Sequence, residues 1–134
     1  MKRSSIVTFL VVLLLCVNSC DKGESYTLES DTSFKYNRKS EEFVVKVPAE
    51  GGEYVFTDPK HAIRFDLVYR DAEVFRSNGC KHFSNEYITA NVDEDNVLTV
   101  TISPNNTDED IRYIISIFGI KATAELIFNQ SKVE

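Results

Sequence analysis

A chain of 134 residues with a net charge of −6, three cysteines, two histidines and no tryptophan is long enough for one small domain. Its acidic balance disfavours sequence-independent binding to nucleic acid, where affinity rests on cationic neutralisation of phosphates. Sugars, peptides and proteins are easier partners for such a surface.

The chain opens with the cationic Met1-Lys2-Arg3, continues in the apolar run Ile6 to Val17 and then reaches the small polar Asn18 and Ser19. That is the layout of an export signal. The run is roughly a dozen residues and is interrupted by Thr8, whereas a permanent span needs about 20. The junction Leu15-Cys16-Val17-Asn18-Ser19-Cys20 resembles a lipobox, with Asn18 in place of the usual small residue. The resemblance implies cleavage before Cys20, a diacylglycerol thioether on its sulfur and acylation of its amine. At about 0.8 kcal/mol per buried methylene, two or three acyl chains hold a small domain on a bilayer. Residues 1–19 are therefore expected as a lipoprotein signal peptide, and residues 20–41 as the anchored cysteine with a flexible, Ser- and charge-rich tether. Cys16 leaves with the signal and Cys20 is acylated, so Cys80 stands alone and the domain has no internal disulfide.

Residues 42–134 read as a series of short β-strands separated by turn residues. Phe43 to Val47 is rich in β-branched residues and stops at Pro48. Glu50-Gly51-Gly52-Glu53 follows as a turn and Tyr54 to Thr57 as a second strand, so the two are expected to form a hairpin. In Ala62 to Tyr69, Ile63, Phe65 and Leu67 alternate with Arg64, Asp66 and Val68, the period of a sheet with one buried face. After the run Glu73 to Arg76 and the turn Ser77-Asn78-Gly79, Ile88, Ala90 and Val92 share a face. Leu98, Val100 and Ile102 do the same before the turn formers Pro104-Asn105-Asn106-Thr107. Ile111 to Phe118 and Ala122 to Asn129 flank a tight turn at Gly119, with Ala124, Leu126 and Phe128 on one face of the last strand. The expected fold is all-β: an immunoglobulin-like β-sandwich of about seven to eight antiparallel strands after a signal segment.

The order Leu98 to Thr107, then Ile111-Arg112, then Ile115-Ser116-Ile117, then a turn and a final strand closing on Asn129-Gln130 resembles the BACON domain. Val47 to Gly52, with its glycine pair, is similar to that family's opening strand. The resemblance covers roughly Glu42 to Gln130. It implies an immunoglobulin-like sandwich of the kind found in exported Bacteroidetes proteins, often beside glycan-degrading domains. The family commonly carries a tryptophan in the strand matching Ala62 to Leu67, and Ile63 or Phe65 fills that place here. The motif also suggests a structural role for Arg112, whose five donors could bridge the loop carbonyls around Asn105 and Asn106, and for Gln130, which would tie the last strand to a neighbour.

Few residues could carry chemistry. Cys80, His82 and His61 are too few for a zinc site, which needs three or four ligands, and Cys80 with His82 lacks an orienting partner for nucleophilic catalysis. Asp93-Glu94-Asp95 and Asp108-Glu109-Asp110 are acidic turns without EF-hand spacing. No metal, cofactor or catalytic residue is expected. Tyr69, Phe75, Phe83 and Tyr87 flank the irregular middle segment and are the candidate ligand-binding residues, since aromatic faces suit sugar rings or a partner protein. The expectation is a non-catalytic cell-envelope lipoprotein, held on the outer membrane through Cys20 and facing the periplasm or the surface. Its module would bind glycan or act as a spacer. The alternative is a protein-interaction subunit of a surface or periplasmic assembly.

Overall fold

A computed structural model of the chain describes residues 24–134. The expected signal peptide, the lipidation at Cys20 and the first part of the tether lie outside the described residues. Ten strands follow in order: β1 (Lys35–Asn37), β2 (Glu42–Val47), β3 (Gly52–Phe56), β4 (Arg64–Arg70), β5 (Glu73–Arg76), β6 (His82–Ser84), β7 (Ile88–Val92), β8 (Leu98–Ile102), β9 (Ile111–Phe118) and β10 (Thr123–Gln130). They form a six-stranded sheet in the order β1-β2-β10-β9-β4-β5 and a four-stranded sheet in the order β3-β8-β7-β6. The trios β4-β9-β10 and β3-β8-β7 correspond to the C-F-G and B-E-D sets of an immunoglobulin domain. The chain is an immunoglobulin-like β-sandwich.

The count exceeds the expected seven to eight because the edge strands β1, which overlaps a first strand suggested near Thr32 to Tyr36, and β6 have only three residues each and carry little apolar pattern. One pairing is parallel: β2 runs alongside β10, with Phe43 beside Leu126 and Val45 beside Phe128. The hairpin expected between Phe43–Val47 and Tyr54–Thr57 does not form, since β2 and β3 lie in different sheets. Between them Pro48, whose carbonyl accepts from the Gly51 N–H at 3.0 Å, carries the chain across the sandwich. Gly51 sits at φ +80, and a Cβ there would drive into the Ile102 carbonyl oxygen. Only glycine fits both the conformation and the close approach.

The inner faces pack as the alternation predicts. Ile88, Ala90, Val92, Leu98, Val100 and Ile102 are all buried on the four-stranded side. On the other side, Ala124, Leu126 and Phe128 of β10 meet the inward residues of β9. Phe128 contacts Phe56 edge-on at 6.0 Å between ring centres, joining the two sheets. Side chains of this size contribute roughly 1.5–3 kcal/mol each when fully buried.

In β4 the period breaks. Ile63 and Phe65 are buried as expected, but the register shifts between Phe65 and Leu67, so Val68 is buried and Leu67 turns outward. Asp66 is the extra residue of a β-bulge. Ser77 holds it, donating its hydroxyl to the Phe65 carbonyl at 2.6 Å and its N–H to the Asp66 carbonyl at 2.9 Å.

The domain begins earlier than residue 42. Tyr26 is 3% and Leu28 6% exposed, and both belong to the core. The Tyr26 hydroxyl donates to the Ala62 carbonyl at 2.8 Å, the Thr27 N–H to an Asp58 carboxylate oxygen at 2.6 Å, and Glu29 exchanges both backbone bonds with Thr57. This corrects the tether boundary: from Glu24 onward the polar segment is stitched to the sandwich, because two apolar residues two positions apart suffice to seat it.

Candidate functional site

The four candidate aromatic residues do not share one surface. Phe75 and Phe83 point inward from β5 and β6, the facing edge strands of the two sheets, opposite the buried Val68 and Ala90. Their rings lie 5.4 Å apart and close the gap between the sheets against the core. Tyr87 is also packed against the core. The Arg70 guanidinium sits 3.9 Å above its ring, a cation–π contact. Tyr69 is on the other side of β4, on the outer face of the six-stranded sheet, paired with Ile114 and Val74.

Arg70 is the most enclosed cation on this edge, with its side chain 16% exposed. Burial disfavours its charge. The nearby Tyr113 hydroxyl, together with Tyr87 and Glu73, more than offsets that and raises its pKa. Its Nη1 lies 3.5 Å from the Glu73 carboxylate. Burial raises the Tyr113 pKa, and Arg70 opposes the rise. The Tyr87 pKa is raised chiefly by the neighbouring Glu86 carboxylate.

The remaining candidates serve the framework. Cys80 is partly exposed and occupies a left-handed turn position at φ 60. Its carbonyl accepts from the Phe65 N–H at 3.0 Å. His82 is exposed on β6. His61 lies instead beside Glu24, Nε2 to carboxylate 3.2 Å, and edge-on to Tyr26. Among the described residues no group of three or more His, Cys, Asp or Glu converges on a point that could hold a metal ion. The Asp93 carboxylate caps its own turn by accepting from the Asp95 and Val97 N–H groups at 2.8 and 3.0 Å. Asp110 accepts from the Lys132 N–H at 2.9 Å.

Arg112 does not bridge the Asn105 loop; its guanidinium reaches Glu42 at 3.9 Å on the outer face. The loop is tied by Asn105 itself, which donates to the Glu109 and Ser131 carbonyls and accepts from Thr107. Gln130 does tie the last strand to its neighbours. Its amide donates to the carbonyls of Pro48, Ala49 and Ser103.

A shallow cleft of about 390 Å³ lies at one end of the sandwich, lined by Lys60, His61, Arg64, Lys81, Asp93 and Glu94 among others. Its walls are set by Asn96, at φ 62, whose side chain donates to the His61 carbonyl at 2.9 Å and accepts from the Ile63 N–H at 2.6 Å. The lining mixes both charge signs.

A different surface emerges from the strand register. The outer face of the six-stranded sheet presents Leu67, Tyr69, Val74 and Ile114 side by side. Val74 is 54% exposed and the other three are partly exposed. The consecutive apolar pairs Ile114-Ile115 and Ile127-Phe128 signal this face, because a central strand with one wet side alternates strictly. The bulge at Asp66, which turns Leu67 outward, has no such signal.

Neither a family model nor a curated protein matches the chain. Eight chains among the solved structures do. One is the NMR structure of a protein from Bacteroides thetaiotaomicron, with a TM-score of 0.65 and 22% identity, covering 84% of this chain and 92% of that one. Another is the trigonal form of titin M4, with a TM-score of 0.44 and 12% identity, covering 82% of this chain and 99% of that one. The likeness to the Bacteroides thetaiotaomicron structure is one of fold.

Proposed function

We propose that the chain is a non-catalytic lipoprotein of the cell envelope, anchored through acylated Cys20, whose BACON-like immunoglobulin-type domain makes protein contacts. The observation that carries the contact role is the uncovered apolar group Leu67, Tyr69, Val74 and Ile114 on the outer face of the six-stranded sheet. Exposed apolar groups gathered on a sheet face, rimmed by charge, suit a protein partner. Sugar stacking would need an open aromatic face; Phe75, Phe83 and Tyr87 are occupied in packing, and Tyr69 is left as the partly open ring among the four. Glycan binding is therefore the second function, favoured by the resemblance and by Tyr69 on the open face.

The anchoring is tested by fractionating cells that express the full chain and its Cys20→Ser variant after feeding labelled palmitate. The intact chain is expected in the membrane fraction with label, and the variant unlabelled. Label on both would remove Cys20 as the lipid site. The binding role is tested on a glycan panel, where retention of the full chain on a defined polysaccharide would overturn the protein-contact reading.

A further inference from the structure

The register draws straight lines across β10, β9, β4 and β5 on the outer face. One holds Glu125, Ser116, Leu67 and Arg76, and the next Ile127, Ile114, Tyr69 and Val74. Beyond them Arg112 lies beside Asp71, whose N–H donates to the Arg112 carbonyl at 2.8 Å. The charges reverse about the boundary between β9 and β4. Glu125 stands on one side and Arg76 at the matching distance on the other; Arg112 and Asp71 invert that order.

From this pattern we infer that the partner of this face is a second copy of the chain. The two copies pack face to face about a two-fold axis parallel to the strands, between β9 and β4. This inference rests on the protein-contact role proposed above. The two-fold lays β10 of one copy on β5 of the other and β9 on β4. Glu125 then falls opposite Arg76 of the second copy and Ile114 opposite Tyr69, each contact occurring twice, while Arg112 and Asp71, already bonded to Glu42 and to the Arg112 N–H within their own chain, lie opposite each other at the rim. Such self-complementarity is what an isologous interface requires, and an axis along the strands gives the aligned packing that sheets prefer.

Within one chain Glu125 and Arg76 are three strand spacings apart, about 14 Å, and make no ion pair with each other. Among the described residues neither side chain forms an ion pair. On this face Glu125 and Arg76 balance one another, as Glu42 balances Arg112, on a chain of net charge −6. The patch spans four strands, about 19 Å across, which makes a small interface. Confinement on a membrane raises the effective concentration of copies and favours it.

The test uses the full chain in cells, with a photo-reactive phenylalanine analogue replacing Val74, and in a control Val55. Val55 is 41% exposed and lies on β3 in the other sheet. The expected product is an adduct of twice the chain mass from position 74 and none from position 55. Arg76→Glu should lower its yield by about tenfold through two repulsive rim pairs, and Arg76→Glu with Glu125→Arg should restore it. A two-chain adduct indifferent to these charges would overturn the two-fold arrangement. An adduct with a different protein would overturn the self-partner while supporting the contact role. No adduct from position 74 would overturn both.

Discussion

The Arg112 guanidinium meets the Glu42 carboxylate at 3.9 Å across the outer face of the large sheet, and the register puts Ile127 on the line between them. Glu42 pairs with Glu125 on β10, two residues before Ile127, and Arg112 pairs with Asn129, two residues after it. Ile127 is 1% exposed although it points away from the sandwich core. The ion pair and the aliphatic stem of Arg112 roof it.

Arg112→Ala should therefore destabilise the domain by about 1 kcal/mol, most of it from uncovering Ile127 rather than from the half-exposed charge pair. Urea unfolding checks this. Arg112→Met, which keeps the stem and removes the charge, should retain most of the stability. A full loss with methionine would assign the effect to the ion pair.

Tyr26 makes the fold sensitive to alkali. Burial, with a smaller contribution from Asp58, raises its pKa from 10.0 to about 12. Because the folded value lies above the unfolded one, the stabilisation is complete below pH 10 and is lost as pH rises toward 12. Melting temperature should fall over that interval. Tyr26→Phe should be less stable at pH 8, having lost the bond to the Ala62 carbonyl, yet show a shallower alkaline decline. An equal slope in the two proteins would reject the assignment.

Gly51→Ala should be among the more damaging small substitutions, at about 3 kcal/mol. It combines a strained positive φ with a collision against the Ile102 carbonyl. Gly79, at φ 62 with open space around the Cβ position, supplies the control. Alanine there should cost only the φ penalty, about 1 kcal/mol. Denaturant midpoints of the two variants should separate clearly.

Gln130 is 1% exposed, and its amide donates to three carbonyls that belong to the β2–β3 turn and the end of β8. Gln130→Leu leaves those acceptors without their donor and should cost about 2–3 kcal/mol. Faster hydrogen exchange at the Gly51 N–H, which bonds to Pro48 in the same turn, would locate the damage. Unchanged exchange there would show that the turn is held by its own bonds.

Phe75→Ala and Phe83→Ala should each lower stability by about 2 kcal/mol, somewhat below the range for fully buried phenylalanine because both rings are partly exposed. The double variant should be less than additive, since the rings contact each other at 5.4 Å. Additive losses would show that the pair does not act as one closure of the sandwich edge.

Much of the fold was legible in the chain. Strict alternation in Ile88 to Val92, Leu98 to Ile102 and Ala124 to Phe128 fixes which side chains turn inward, because successive residues of a strand face opposite ways. The glycine at 51 and the turn formers after Ile102 mark where the chain must reverse. The candidate site was less legible. Aromatic residues gathered in the middle segment look alike in one dimension whether they close an edge, as Phe75 and Phe83 do, or face solvent, as Tyr69 partly does.

Sequence alone determined the all-β class, the strands of the core and their inward faces, since these follow from local geometry and the exclusion of apolar surface from water. Tertiary structure decided which strands became neighbours. It set β2 beside β10 rather than β3, moved Leu67 to the outer face through one extra residue at Asp66, and seated Tyr26 and Leu28 in the core. Those outcomes depend on contacts between residues distant along the chain, and a local pattern holds no record of the partner that a strand or a side chain will meet.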